Sequence, residues 1–253
     1  MSAAYSTGLS TTWQSHLLEL RGRLIWSVSI LCVSTLLAFL WADRLIEFLQ
    51  LLAPPHTVFI QVAPGEVFFA AMRLSIFAGV GLSVPVVVYH VIRFIAPGLK
   101  PQERAYLVPF MFLTVAFFIL GVMAGYWAVL PLMLDFLFDY GATIAQNQPS
   151  IASYLNFCTG FLFATGLVFE LPMVLVFASI LGLLNYDKLL ARWRAAIVVS
   201  FILGAVVTPS TDPFSQTVMS LLLVGLYGVS LILVKLFQRK PKLQESRTEP
   251  QAT

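Results

Sequence analysis

The sequence predicts an all-α membrane protein that crosses a bilayer on six transmembrane helices, with N- and C-termini cytoplasmic. Three observations predict it. Of 253 residues, 59% are hydrophobic and only 11% charged, and the mean hydropathy is +0.88. A water-soluble domain carries about 25% charged residues, so lipid must be the solvent for much of this chain. The apolar residues gather into six runs, and the basic residues favour alternate connections between them.

The runs fall at about 24–42, 67–95, 105–134, 154–184, 195–207 and 214–236. Crossing about 30 Å of hydrocarbon takes roughly 20 residues. Runs two to four exceed that length and must tilt, kink or project; the second carries Arg73 near its start and Pro85 inside. The fifth run is short and stops at Thr208-Pro209-Ser210-Thr211-Asp212-Pro213. Runs five and six form either a short hairpin or one re-entrant loop; the turn residues favour the hairpin. A short span thins the bilayer around it.

Lys and Arg set the orientation. With a cytoplasmic N-terminus, the inner side holds Arg21, Arg23, Arg93, Lys100, Arg104, Lys188, Arg192, Arg194, Lys235, Arg239, Lys240, Lys242 and Arg247, and the outer side only Arg44 and Arg73. The outer side instead carries Asp43, Glu47, Glu66, Asp135, Asp139 and Asp212. The mixed stretch Arg44–Leu49 reads as a short amphipathic cap on that surface, and Tyr140–Ser153 as a second outer loop. Residues 1–237 form one membrane domain, and 238–253 read as a disordered cytoplasmic tail. Met1–Ser15 contains no Lys or Arg and is not the start of a cleavable signal peptide; no transit peptide is evident, so a bacterial membrane is the default.

Cys32 and Cys158 lie far apart in apolar stretches, and His16, His56 and His90 are scattered. This spacing suggests neither a disulfide framework nor a metal site, and the cysteines read as inert core or lipid-facing residues. Glu170, in Phe169-Glu170-Leu171-Pro172, is the acid deep within a span. A carboxylate there costs several kcal/mol unless protonated, paired or facing water, which marks a functional position; the structural alternative is a protonated acid bonding a neighbouring helix. Gln216, early in the sixth run, reads as interhelical glue. Glu19, just before the first run, and Glu103, between the second and third, stand among basic residues. Each is suited to accept guanidinium forks, or to pair with its own neighbour, Arg21 or Arg104, as a solvated ion pair worth under about 1 kcal/mol. The residues alone leave that choice open.

Four motifs in order then carry a resemblance: His16-Leu17-Leu18-Glu19-Leu20-Arg21-Gly22-Arg23-Leu24; Phe94-Ile95-Ala96-Pro97-Gly98-Leu99 leading to Glu103-Arg104; Phe169-Glu170-Leu171-Pro172; and Thr208-Pro209 followed by Asp212-Pro213-Phe214-Ser215-Gln216. Together, from about His16 to Leu236, the chain resembles the TatC family, the multi-spanning receptor subunit of the twin-arginine protein translocase. The resemblance implies a concave, glove-like arrangement of the six helices. It implies that Glu19 and Glu103 contact the arginine pair of a signal peptide, with Leu20, Arg21, Arg23 and Phe94 around them. It places Glu170 on the concave side, and Gln216 with the fifth run where the single-span partners TatA and TatB dock. It implies self-association, transport of folded proteins driven by the proton-motive force, and no cofactor or nucleic acid. The turn Pro209–Pro213 departs slightly from the family pattern, which touches only the carry-over to Asp212.

Two other classes compete. A proton-coupled transporter would use Glu170, but the chain has no internal repeat and no second deep acid. An intramembrane enzyme would need a nucleophile elbow or metal pair; neither GxSxG nor HExxH spacing occurs, and no GxxxxGK[ST] loop exists for nucleotide.

Overall fold

Hydrocarbon offers backbone groups no hydrogen bonds, so a chain this apolar must satisfy them within helices. The computed structural model describes residues 4–55, 57–98, 104, 107–141 and 148–237, with side chains from residue 17 onward, and nearly all of these are helical. Helix α1 runs Ala4–Leu40, α2 Ala42–Gln50 and α3 Glu66–Ile95, ending in a 3-10 turn at Ala96–Gly98. Helix α4 (Leu107–Ala124) continues through a π turn (Gly125–Val129) into α5 (Leu130–Gly141). Then come α6 (Ile151–Val168), α7 (Leu171–Ile180), α8 (Tyr186–Ala191), α9 (Trp193–Val207) and α10 (Pro213–Phe237). Among the described residues, five helical segments are long and apolar enough to cross a membrane, and α9 is a shorter apolar helix. The tail beyond 237 lies outside the described residues.

The first helix begins well before the apolar run that starts at 24. Hydropathy reports the solvent, not the backbone, so a helix can carry on from lipid into water unannounced. Runs five and six form the hairpin: α9 lies along α10, and Gly204 abuts Ser220. At the turn, Asp212 Oδ1 accepts the Ser215 N–H at 2.7 Å, with Pro213 as the first helical residue of α10. That is an N-cap followed by a proline whose missing N–H costs nothing there. Helix α7 closes on Gly182 (φ +74°), with the Leu183 and Gly182 N–H groups bonding the carbonyls of Ala178 and Ser179, a C-cap open to glycine at low cost.

The principal contacts order the elements as α1 on α3, α3 on α4 and α6, α4 on α6, α10 on α7, and α9 on α10. Within the most apolar stretch of each span, 44% of residues are buried in α6–α7 but 6% in α1, so α6–α7 is the centre and α1 a flank. Between helices in lipid there is no hydrophobic drive, so close van der Waals approach must replace it. Gly121 on α4 and Gly125 at the start of the π turn supply it: a Cβ at Gly121 would stand 2.9 Å from the Gly166 Cα, and one at Gly125 would overlap the Thr165 hydroxyl.

One end of the bundle carries a cap. Helix α2 buries Ala42 and Leu49; the Tyr154 hydroxyl donates to the Leu49 carbonyl at 2.7 Å and the Tyr126 hydroxyl to that of Phe48 at 3.1 Å. Glu66 fastens the strap between α2 and α3. Its carboxylate accepts the N–H groups of Val62 (2.8 Å) and Ala63 (3.1 Å), the Ala152 N–H (3.3 Å) and the Ser150 hydroxyl. A parallel bridge, Ile60 with Ser150, runs beside it.

Gly125→Ala forces a methyl group into Thr165 and should lower stability by about 1–3 kcal/mol. Gly225→Ala, where a Cβ meets nothing within 4 Å, should leave it unchanged or higher. Thermal unfolding of both variants in the same detergent checks the pair.

Candidate functional site

The site residues occupy two regions. At the end opposite the cap, α1 carries Glu19, Leu20, Arg21 and Arg23. Glu19 Oε1 accepts the Arg23 Nη2 at 2.5 Å and Nε at 3.1 Å. The partner is thus Arg23, not the Arg21 expected from adjacency. On a helix, residues four apart share a face while residues two apart point in nearly opposite directions. The pair is partly open to water, with side-chain exposures of 38% for Glu19 and 21% for Arg23. Such a pair is worth about 0.3–0.5 kcal/mol, little enough to exchange one guanidinium for another. Leu20 and Arg21 are exposed beside it.

Phe94 is half-buried in the last turn of α3, at the same end. Below it, Ile92 and Leu107 form a small core with Phe110, Met111 and Phe177 that fastens α3 to α4. Arg104 Nη2 donates to the Pro97 carbonyl at 3.2 Å. Glu103 lies outside the described residues.

The second region is the centre of the membrane domain. Pro172 has no N–H to offer the Val168 carbonyl, and the helix gives way just before it: α6 ends at Val168 and α7 starts at Leu171. Phe169 and Glu170 keep helical backbone angles, and their N–H groups bond the carbonyls of Thr165 and Leu167 at 3.1 Å each. The result is a kink, and Glu170 is its corner. Glu170 lies ten residues from the end of α7, about 15 Å along the helix, and further still from the start of α6. Its side chain is half-buried, and Oε1 is buried with no hydrogen-bond partner among the described residues. The kink is braced from α4, where Gly121 comes close to the Phe169 side chain.

Gln216 is half-buried in the first turn of α10, near the cap end. Its N–H bonds the Asp212 carbonyl at 3.2 Å and its own carbonyl accepts the Ser220 hydroxyl at 2.7 Å. Glu170 and Gln216 therefore sit on different elements and at different depths, with one buried core reaching from Phe161 and Val168 to Met219. At the turn before Gln216, partial burial pushes the Asp212 carboxyl up, but the donors around it, the Ser215 N–H among them, outweigh burial and hold it below the usual carboxylate range.

The sequence reading counted Glu66 only among the outer acids and passed over the Gly121–Gly125 pair. Both left a signal: an acid directly after Pro64-Gly65 at a helix start, and small residues four apart within an apolar run. Cys32 is exposed on α1 and Cys158 buried in α6.

Comparison with known proteins follows the same outline. The family described as Sec-independent protein translocase protein (TatC) matches residues 15–221. The Sec-independent protein translocase protein TatC of Synechocystis sp. is 35% identical over 213 residues, 84% of this chain and 83% of that protein. The chloroplastic protein TATC of Arabidopsis thaliana is 37% identical over 227 residues, 88% of this chain and 66% of that one. A crystal structure of a twin-arginine translocase receptor, TatC, superposes with a TM-score of 0.78 at 32% identity, covering 88% of this chain and all of that one.

Glu170→Gln keeps the shape of the side chain and removes its charge. Because Oε1 has no described donor to lose, stability should stay within about 1 kcal/mol of the unaltered chain. Thermal unfolding in detergent checks it, and a collapse would give Glu170 a purely structural part.

Proposed function

The chain belongs to the TatC family of Sec-independent protein translocase proteins, and on that premise we propose that it is the receptor that binds twin-arginine signal peptides through Glu19 and Glu103. As a family member it is a multi-pass thylakoid or inner-membrane protein, a component of the translocase and not an enzyme.

The observation that carries the receptor reading is the Glu19–Arg23 pair at the end opposite the cap. It is a carboxylate already engaged with a guanidinium, weakly enough to trade it. A signal-peptide arginine entering there replaces Arg23 on Glu19, and its neighbour in the arginine pair takes Glu103. Two bidentate forks confer geometric selectivity that lysine cannot match. Leu20 and Phe94 offer apolar surface beside the pair for residues that follow, and Arg21 and Arg23 repel peptides whose charges are placed otherwise.

The apolar part of the signal then enters the membrane domain toward Glu170, on the concave side of a glove-like arrangement. The short α9, its hairpin partner α10 and Gln216 form the docking side for TatA- and TatB-type subunits and for further copies of this chain. A helix of 15 residues spans only about 22 Å, and the thinned bilayer beside it is where a folded protein crosses, driven by the proton-motive force. In this reading both termini and the tail at 238–253 are cytoplasmic. The basic residues concentrated at the end opposite the cap support that orientation.

Photo-crosslinking of a twin-arginine peptide to position 103 tests the assignment. Glu19→Ala and Glu103→Ala should each weaken the peptide's binding by tenfold or more, the loss of one charge-assisted pair at about 1.5–3 kcal/mol, while the chain still inserts. Undiminished crosslinking or binding in both variants refutes it. Glu170→Gln should bind peptide normally yet fail in transport by membrane vesicles; full transport activity removes Glu170 from the mechanism.

A further inference from the structure

Arg73 has no part in the receptor reading. It lies on α3 two helical turns after Glu66, about 10 Å along the axis, within a segment apolar enough to span the membrane. Its side chain is exposed, and among the described residues it has neither a hydrogen bond nor an ion pair. The residues on either side of it on that face are apolar and exposed: Phe69, Met72 and Ile76. Phe68 stands next to them in edge-on contact with Phe39 of α1 at 6.1 Å.

A guanidinium in this position faces lipid. Charge deep in hydrocarbon is costly, and the long arginine stem lets the head reach back toward the interface while its methylenes stay in the apolar layer. Aromatic side chains gather at that depth, at the level of the headgroups. The anion available there is the lipid phosphodiester, whose oxygens match the two-pronged donor set of arginine. The cap end is otherwise poor in cations; Arg44 on α2 is its other basic residue among those described. We propose that Arg73 binds the phosphodiester of an anionic phospholipid in the leaflet at the cap end, with the acyl chains lying along Phe69, Met72 and Ile76. This rests on the membrane setting alone and stands or falls apart from the signal-peptide assignment.

Native mass spectrometry of the purified full chain, titrated with phosphatidylglycerol or phosphatidylcholine, tests it. Arg73→Gln should lose one bound phosphatidylglycerol, with affinity at that site down about tenfold, and should bind phosphatidylcholine as before. Arg44→Gln removes the same charge from the same end and should change nothing. Equal phosphatidylglycerol binding by the unaltered chain and Arg73→Gln overturns the proposal, as does an equal loss from Arg44→Gln, which would reduce the effect to overall charge. A photo-crosslinker at position 76, with Arg73 retained, gives a second measurement that does not depend on the folding of Arg73→Gln. In vesicles of the two lipids it should yield chiefly phosphatidylglycerol adducts; no preference overturns the proposal. In native membranes it should capture lipid, whereas a protein adduct would make the occupant a partner helix and overturn it.

Discussion

The architecture depends on how closely two helices can approach where burial of apolar surface brings no gain. In lipid, α4 and α6 hold together through backbone proximity and dispersion. Gly121 and Gly125 permit that proximity, with Thr165 and Gly166 on the facing surface. The kink at Phe169–Glu170 rests on the same contact, so the position of the embedded carboxylate is set from α4 as much as from its own helix. Pro172 interrupts the α6–α7 span, and Gly121 of α4 lies against Phe169 at that interruption.

The spans were legible because hydropathy registers the solvent around each residue, and the six runs correspond to five long apolar segments and the shorter α9. The kink was legible through Pro172 and the hairpin through its Pro/Ser/Asp turn. The cap was legible in part: Arg44–Leu49 is helical within α2, but the clasp formed by Glu66 depends on Ser150 and Ala152, distant in sequence, and no local pattern encodes such a meeting. Glu19 shows a finer limit. Adjacency suggested Arg21, while helical geometry selects Arg23. The N-terminal extension of α1 was hidden because polar residues can be helical without being apolar.

The two ends of the molecule divide its labour. The cap end is fastened by neutral and anionic groups: carbonyls taking tyrosine hydroxyls, and one carboxylate taking backbone N–H groups from two separate segments. The opposite end is basic, and Glu19 there is held by a single-turn ion pair at the water boundary. Strong internal bonding suits a lid that holds helices in place, and weak exchangeable bonding suits the receptor surface proposed around Glu19. The embedded acid belongs to neither end, and its buried Oε1, without a partner among the described residues, lies where the central span bends.

The π turn at Gly125–Val129 bears on how this chain can vary. The Leu130 N–H reaches back to the Gly125 carbonyl, one residue further than in an α-helix. The turn takes up one extra residue, so each residue after it stands about 100° short of its phase in an uninterrupted α-helix, and this phase directs Leu130, Met133 and Leu134 inward, each almost wholly buried. Deleting one residue from the turn would restore a regular helix with α5 still in register, whereas tightening the turn to α-helical bonding at its present length would rotate the packing face of α5 by about 100° toward lipid. This stretch can therefore lose a residue at less cost than it can lose its π turn at full length.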